Sequence, residues 1–282
     1  MRKQILQAVK SLWLILIFAA VGLYIAGNFD EIVAQFSSLS LSRVVLVLVL
    51  IVVGRLLLVR LSLESVGLVG WSPPYRRMLL INSLSQLAKY LPGGVWHFVG
   101  RAGYYHSDGL TLPDVTRAMV MENVWLVSSA GFVGSILMIV YVGGAFSIFA
   151  VTILVFSWFI ILLIITRRYT RQISIIRVSE MLLLQWAIWL ILSASFVVIL
   201  PQTPIPATLP LVLGAFLIGW LVGFLALFAP GGFGIREGVL VALLLPLLSS
   251  SETLDFALLH RLLWTVAELL LGIFSWTFLR DS

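Results

Sequence analysis

Apolar residues run along this chain in long blocks, separated by short polar clusters that carry most of the charge. Blocks at about Leu12–Ala26, Val44–Val59, Arg117–Val142, Ser147–Thr166, Glu180–Leu200 and Asp255–Leu279 approach the ~20 residues that carry an α-helix across a bilayer, and predict six simple spans. Two further apolar regions are interrupted. Tyr75 to Pro113 is broken by "LAKYLPGGVWHFVGR", and Pro210 to Pro246 by "LFAPGGFGIREG". Proline removes a backbone donor and glycine loosens a helix, so neither stretch reads as the middle of a continuous span.

Composition makes the membrane reading firm. Hydrophobic residues are 61% of the 282 and charged residues only 11%, with a mean hydropathy of +1.12. Soluble domains carry roughly a quarter charged residues, and this chain could not cover a surface facing water. The absence of cysteine excludes disulfides, thiolate catalysis and cysteine-ligated metals. Met1-Arg2-Lys3 ahead of the first block has the shape of a signal peptide or first span. With further spans behind it and no small-x-small cleavage site, a retained helix is expected.

Loop charge sets the expected orientation, because Lys and Arg stay on the cytoplasmic side. Arg2, Lys3 and Lys10, then Arg60, Arg76 and Arg77, then Arg167, Arg168, Arg171 and Arg177 mark cytoplasmic connections. Asp30-Glu31 and the uncharged Pro201–Pro210 then fall outside. This works only if Tyr75–Pro113 enters and leaves on one side, as a re-entrant hairpin. Pro210–Pro246 becomes a second hairpin from the opposite side, and both termini are cytoplasmic in a cell membrane. The net charge of +6 follows from these loops and needs no nucleic acid.

Each half, 1–143 and 144–282, then reads span, span, hairpin, span, with opposite orientation. Pro92 and Pro230 lie 138 residues apart, and that offset maps the first two blocks onto predicted spans of the second half. It also maps Glu122 onto His260, beside Arg261. The expected fold is an all-α polytopic membrane protein of six spans and two re-entrant hairpins in an inverted repeat. Paired interrupted segments in inverted halves point to a transporter with its site between them.

The candidate chemistry sits at the breaks. A Gly-Gly turn opening a helix directs free N–H groups one way and favours an anion there, which fits Pro92-Gly93-Gly94 and Pro230-Gly231-Gly232. Arg101 and Arg236 could add a forked partner for a phosphate. Ionisable residues at hydrocarbon depth cost roughly 2.5–3.5 kcal/mol each on insertion scales, so Glu122, His260, Arg261 and Glu268 each ask for a partner. Arg261 and Glu268 share a face seven residues apart and could pair; Glu122 needs Arg101 or Arg261. Asn82, Ser83, Ser85, Gln86 and Lys89 make one hairpin arm polar, suited to a wet groove or to helix–helix hydrogen bonds. His97, His106 and Asp108 match no metal-ligand spacing, and His97 is better placed lining the hairpin. No Walker loop is present, and no cofactor is expected.

"KYLPGGVWHFVGR", "VMENVW", "APGGFGIREG" and "LLHRLLW", in this order, resemble the lysylphosphatidylglycerol synthase transmembrane region, the flippase-like domain family. The resemblance covers nearly the whole chain. It implies a translocase moving a lipid or lipid-linked substrate with a charged head group between leaflets, and places Pro92, Gly93, Gly94, Arg101, Glu122, Pro230, Gly231, Gly232, Arg236, Glu237 and Arg261 at its site. The best-known members add a soluble domain that aminoacylates phosphatidylglycerol. This chain stops at Ser282 after the last span, so the translocation half alone is expected. Two other readings compete: a polyprenyl-phosphate-dependent glycosyltransferase using Asp30 and Glu31, and a non-transporting partner of envelope lipid or glycan synthesis enzymes.

Overall fold

The computed structural model of the chain describes residues 39–90, 95–169, 174–200, 207–226 and 229–279, together with Gly27, Val33 and Ser37. Among the described residues the regular elements are all helical. They are α1 (Leu41–Gly67), α2 (Tyr75–Leu87) running into a 3₁₀ turn at Ala88–Tyr90, α3 (Trp96–Ser107), α4 (Leu112–Val142), α5 (Ala145–Tyr169) and α6 (Ile175–Ile199). Then follow α7 (Leu209–Leu225), a 3₁₀ turn at Pro230–Gly232, α8 (Ile235–Leu244) and α9 (Ser250–Leu279).

Five of these helices, α1, α4, α5, α6 and α9, are long and apolar enough to cross a bilayer, and each covers one expected apolar block. The chain is an all-α, multi-pass membrane protein. The block Leu12–Ala26, the acidic pair Asp30-Glu31 and the turn Pro92-Gly93-Gly94 lie outside the described residues. α2, α3 and α8, with 13, 12 and 10 residues, are too short to span; α7 is apolar but has 17.

The long helices outrun their apolar blocks because their caps are polar and hydropathy does not register them. Ser40 accepts the Arg43 N–H at 3.4 Å ahead of α1, and Ser174 accepts the Arg177 N–H at 3.2 Å ahead of α6. Thr111 caps α4, with Pro113 in the first turn where its missing N–H is not needed.

Packing brings distant parts of the chain together. α1 runs antiparallel to α6: Arg177 Nη2 lies 2.8 Å from Glu64 at one end, and Arg43 donates to the Leu200 carbonyl at 3.5 Å at the other. α2 packs on α9 and α7 on α4, so each interrupted region rests on the long helix that follows the other one. Small residues permit these approaches. A Cβ on Gly54 would fall 2.3 Å from Leu192 Cδ2 between α1 and α6, and one on Gly214 would fall 3.2 Å from the Gly134 carbonyl oxygen between α7 and α4. The two 3₁₀ turns meet each other.

The main core, which includes Trp125, Trp189, Phe196 and Phe216, joins α1, α4, α5, α6, α7, α8 and α9. A smaller one, with Val59, Met78, Tyr105 and Leu279, closes the end where α9 finishes beside α2. At that end Arg77 holds Asp108 through two hydrogen bonds, of 2.8 and 2.6 Å. Asp108 raises the Arg77 guanidinium above its ordinary value, chiefly by the side-chain hydrogen bond.

Candidate functional site

Where the interrupted regions converge, the helices line a partly open cavity of about 160 Å³. Its polar wall includes Arg55 from α1, Lys89 from the first 3₁₀ turn, His97 and Arg101 from α3, Glu122 from α4, Arg236 from α8 and Arg261 from α9. Trp189, Leu192, Trp220 and Phe224 supply an apolar wall. A charged pole beside an apolar wall suits an amphipathic occupant.

Three buried carboxylates answer the cations. Arg101 hydrogen-bonds Glu122, with both residues more than nine-tenths buried. Arg261 Nη1 donates to Glu237 Oε1 at 2.5 Å, and its Nη2 to the Gly231 carbonyl at 2.6 Å. Glu268, 2% exposed, accepts from Lys89 Nζ at 2.6 Å, the Tyr90 hydroxyl at 2.7 Å and Trp264 Nε1 at 2.8 Å, with Arg55 Nη1 at 3.6 Å. Glu268 therefore ties α1, the first turn and α9 together.

Arg236 differs from the other cations. Its guanidinium carbon lies 4.5 Å from the centroid of Phe216 and 5.6 Å from that of Trp264, and among the described residues it forms no salt bridge. Ring faces hold a cation by their quadrupole without neutralising it, leaving the N–H groups for an anion in the cavity. Among the described residues, five lining cations against three paired carboxylates, five minus three, leave a formal surplus of two positive charges. At the same cavity, Glu122 Oε2 and His97 Nδ1 are buried without hydrogen-bond partners among the described residues. Glu122 Oε2 can take a donor from an occupant, and His97 Nδ1 accepts or donates according to its tautomer.

The second Pro-Gly-Gly turn shows why glycine is needed. Gly231 and Gly232 have φ of 58° and 71°, and a Cβ on Gly232 would fall 2.8 Å from Gly223 Cα on α7. Backbone meets backbone there, so nothing can move aside. Gly232→Ala is expected to destabilise the protein by at least the ~1–3 kcal/mol of a strained left-handed residue. A denaturant titration of purified protein in detergent checks this; an unchanged midpoint would contradict the close approach.

The site gathers most of the expected residues with altered partners. Arg101, Glu122, Gly231, Gly232, Arg236, Arg261 and His97 line the cavity; Pro92, Gly93 and Gly94 are outside the described residues. Arg261 does not pair with Glu268. Seven residues are ~10 Å along a helix, so a shared face does not bring the charges into contact, and each takes a nearer partner from an interrupted region. The N-terminus of α8 does not stand open for an anion: Glu237 Oε2 accepts the Gly234 N–H at 2.8 Å. His260, 1% exposed, is not part of the cavity wall. Its Nε2 lies 2.8 Å from Ser195 Oγ, and its ring meets Phe196 and Phe216 edge to face.

Arg55 was absent from the expected set, although a lone arginine inside "VVGRLLL" carries the signal of a charge at membrane depth that needs a partner. The rings around Arg236 had no such signal, since aromatic residues are frequent throughout. No protein-family model matches the chain, and no match is found among curated proteins.

Proposed function

We propose that this chain is a lipid translocase, moving lipids with an anionic, phosphate-bearing head group between leaflets of a cell membrane. The observation that carries the reading is the cation surplus of the cavity, with Arg236 in no salt bridge among the described residues, inside a bundle of apolar helices. Such charge in hydrocarbon surroundings is costly unless an anion enters. Trp189, Trp220 and Phe224 offer the start of a tail an apolar wall. The carboxylates at the site are each held by a cation, which suits electrostatic binding better than acid–base catalysis.

In this reading the interrupted regions are two re-entrant hairpins of an inverted repeat, the block Leu12–Ala26 completes six spans, and the termini are cytoplasmic. The meeting of the two 3₁₀ turns and the reciprocal packing of α2 on α9 and α7 on α4 support it. So does the resemblance of the four motifs to the flippase-like domain family. Rocking one half against the other would expose the cavity alternately to each leaflet.

The test is leaflet exchange in vesicles of purified protein containing tail-fluorescent anionic lipids, phosphatidic acid and phosphatidylglycerol among them, with a membrane-impermeant reductant outside. Bleaching should pass beyond the outer-leaflet fraction as protein density rises. If it halts at that fraction for every lipid, the reading is wrong.

A further inference from the structure

The number of uncompensated cations carries a second conclusion, which rests on the binding site proposed above. Glu122 and Glu237 each neutralise one arginine, Arg101 and Arg261 respectively. Glu268 is shared between Lys89 at 2.6 Å and Arg55 at 3.6 Å, so one unit of charge remains in that trio. Arg236 contributes the second. A phosphodiester head group such as phosphatidylglycerol brings one negative charge and would leave one cation unanswered in a low-dielectric cavity, where unpaired charge is most costly. A terminal phosphate brings about −1.5 to −2 at pH 7, with its second pKa near 6.

We infer that the cavity selects lipids ending in a phosphomonoester or diphosphate over phosphodiester lipids, with Arg236 as the first anchor and the Lys89–Arg55 pair as the second. The same excess of positive charge disfavours head groups carrying a net positive charge. Glu122 Oε2, an acceptor without a hydrogen-bond partner among the described residues, marks a part of the wall where a protonated or hydroxylated group fits and a bare phosphate oxygen does not. The phosphate is thereby directed toward Arg236 and Lys89. Of the lipid, the cavity holds the head group and the first carbons, and the chains pass outward by the apolar wall.

Binding is read without leaflet movement, by the tryptophan fluorescence of the full chain in phosphatidylcholine nanodiscs. Trp189, Trp220 and Trp264 line the cavity and report an occupant. Phosphatidic acid should bind at least tenfold more tightly than phosphatidylglycerol at pH 8. That advantage should shrink toward parity at pH 5, because the second proton removes the extra charge. Arg236→Gln should lower the advantage about tenfold, and Lys89→Gln, which acts on the other anchor, should lower it independently. Inorganic phosphate and pyrophosphate should compete only at far higher concentration than the lipid.

Equal affinity for the two lipids at pH 8, or a preference for phosphatidic acid that ignores pH, would overturn the inference. Competition by free phosphate as strong as by phosphatidic acid would assign the site to a soluble anion instead and overturn it too. Tight, pH-dependent binding of the phosphomonoester without leaflet exchange would uphold this inference while removing the translocase reading. Exchange of both lipids with no preference in binding would do the reverse.

Discussion

Arg236→Gln is expected to slow leaflet exchange of anionic lipids at least tenfold while leaving a folded protein. A tenfold loss corresponds to about 1.4 kcal/mol, well within the range of one charge-assisted contact. The change should not unfold the protein because no carboxylate is stranded: the Arg236 guanidinium lies on Phe216 and Trp264 and forms no salt bridge among the described residues. The lost ring contacts, about 0.5–2 kcal/mol, are partly offset by no longer burying an unneutralised charge. Arg236→Lys should recover part of the rate, since the charge returns without the planar fork. Exchange rates in vesicles and the unfolding midpoint in detergent read the two effects separately. A rate for Arg236→Gln within twofold of the parent would remove Arg236 from the binding machinery.

Arg101→Ala is expected to act mainly on stability. Its partner Glu122 is 8% exposed, and removing one member of a buried pair leaves the other uncompensated, at about 3–5 kcal/mol. Replacing both members with apolar residues, as in Arg101→Met with Glu122→Leu, should restore most of the loss, because the double variant strands no charge. The double-mutant cycle therefore gives a large coupling for this pair and little for Arg101 with Arg236. Denaturant midpoints of the parent, Arg101→Met, Glu122→Leu and their double variant decide the first coupling, and those of Arg236→Gln and of Arg101→Met with Arg236→Gln decide the second. If Arg101→Ala alone were as stable as the parent, the Arg101–Glu122 bond would not hold α3 to α4. The contrast between the Arg101 and Arg236 variants would also separate a positioning pair from the proposed anion anchor, two roles that look the same in sequence.

The five described spans were legible because a bilayer imposes a length and a hydrophobicity that local sequence must satisfy. The breaks were legible as well, since proline and glycine disrupt helices wherever they occur, and the positive φ of Gly231 and Gly232 is their local expression. Charges at membrane depth could be recognised as needing partners. Their partners could not be read, because a pair such as Lys89 with Glu268 joins residues 179 apart in the chain.

Sequence alone determined that this is a helical membrane protein with two interrupted regions and buried charge near them. Only the tertiary structure decided that Arg261 turns to Glu237, that Glu268 gathers Lys89 and Arg55, and that His260 packs against Ser195 and aromatic rings away from the cavity. It alone left Arg236 over rings and, among the described residues, without a salt bridge. Helix formation and membrane insertion depend on neighbours along the chain. Charge pairing depends on a few ångströms between helices that packing alone brings together.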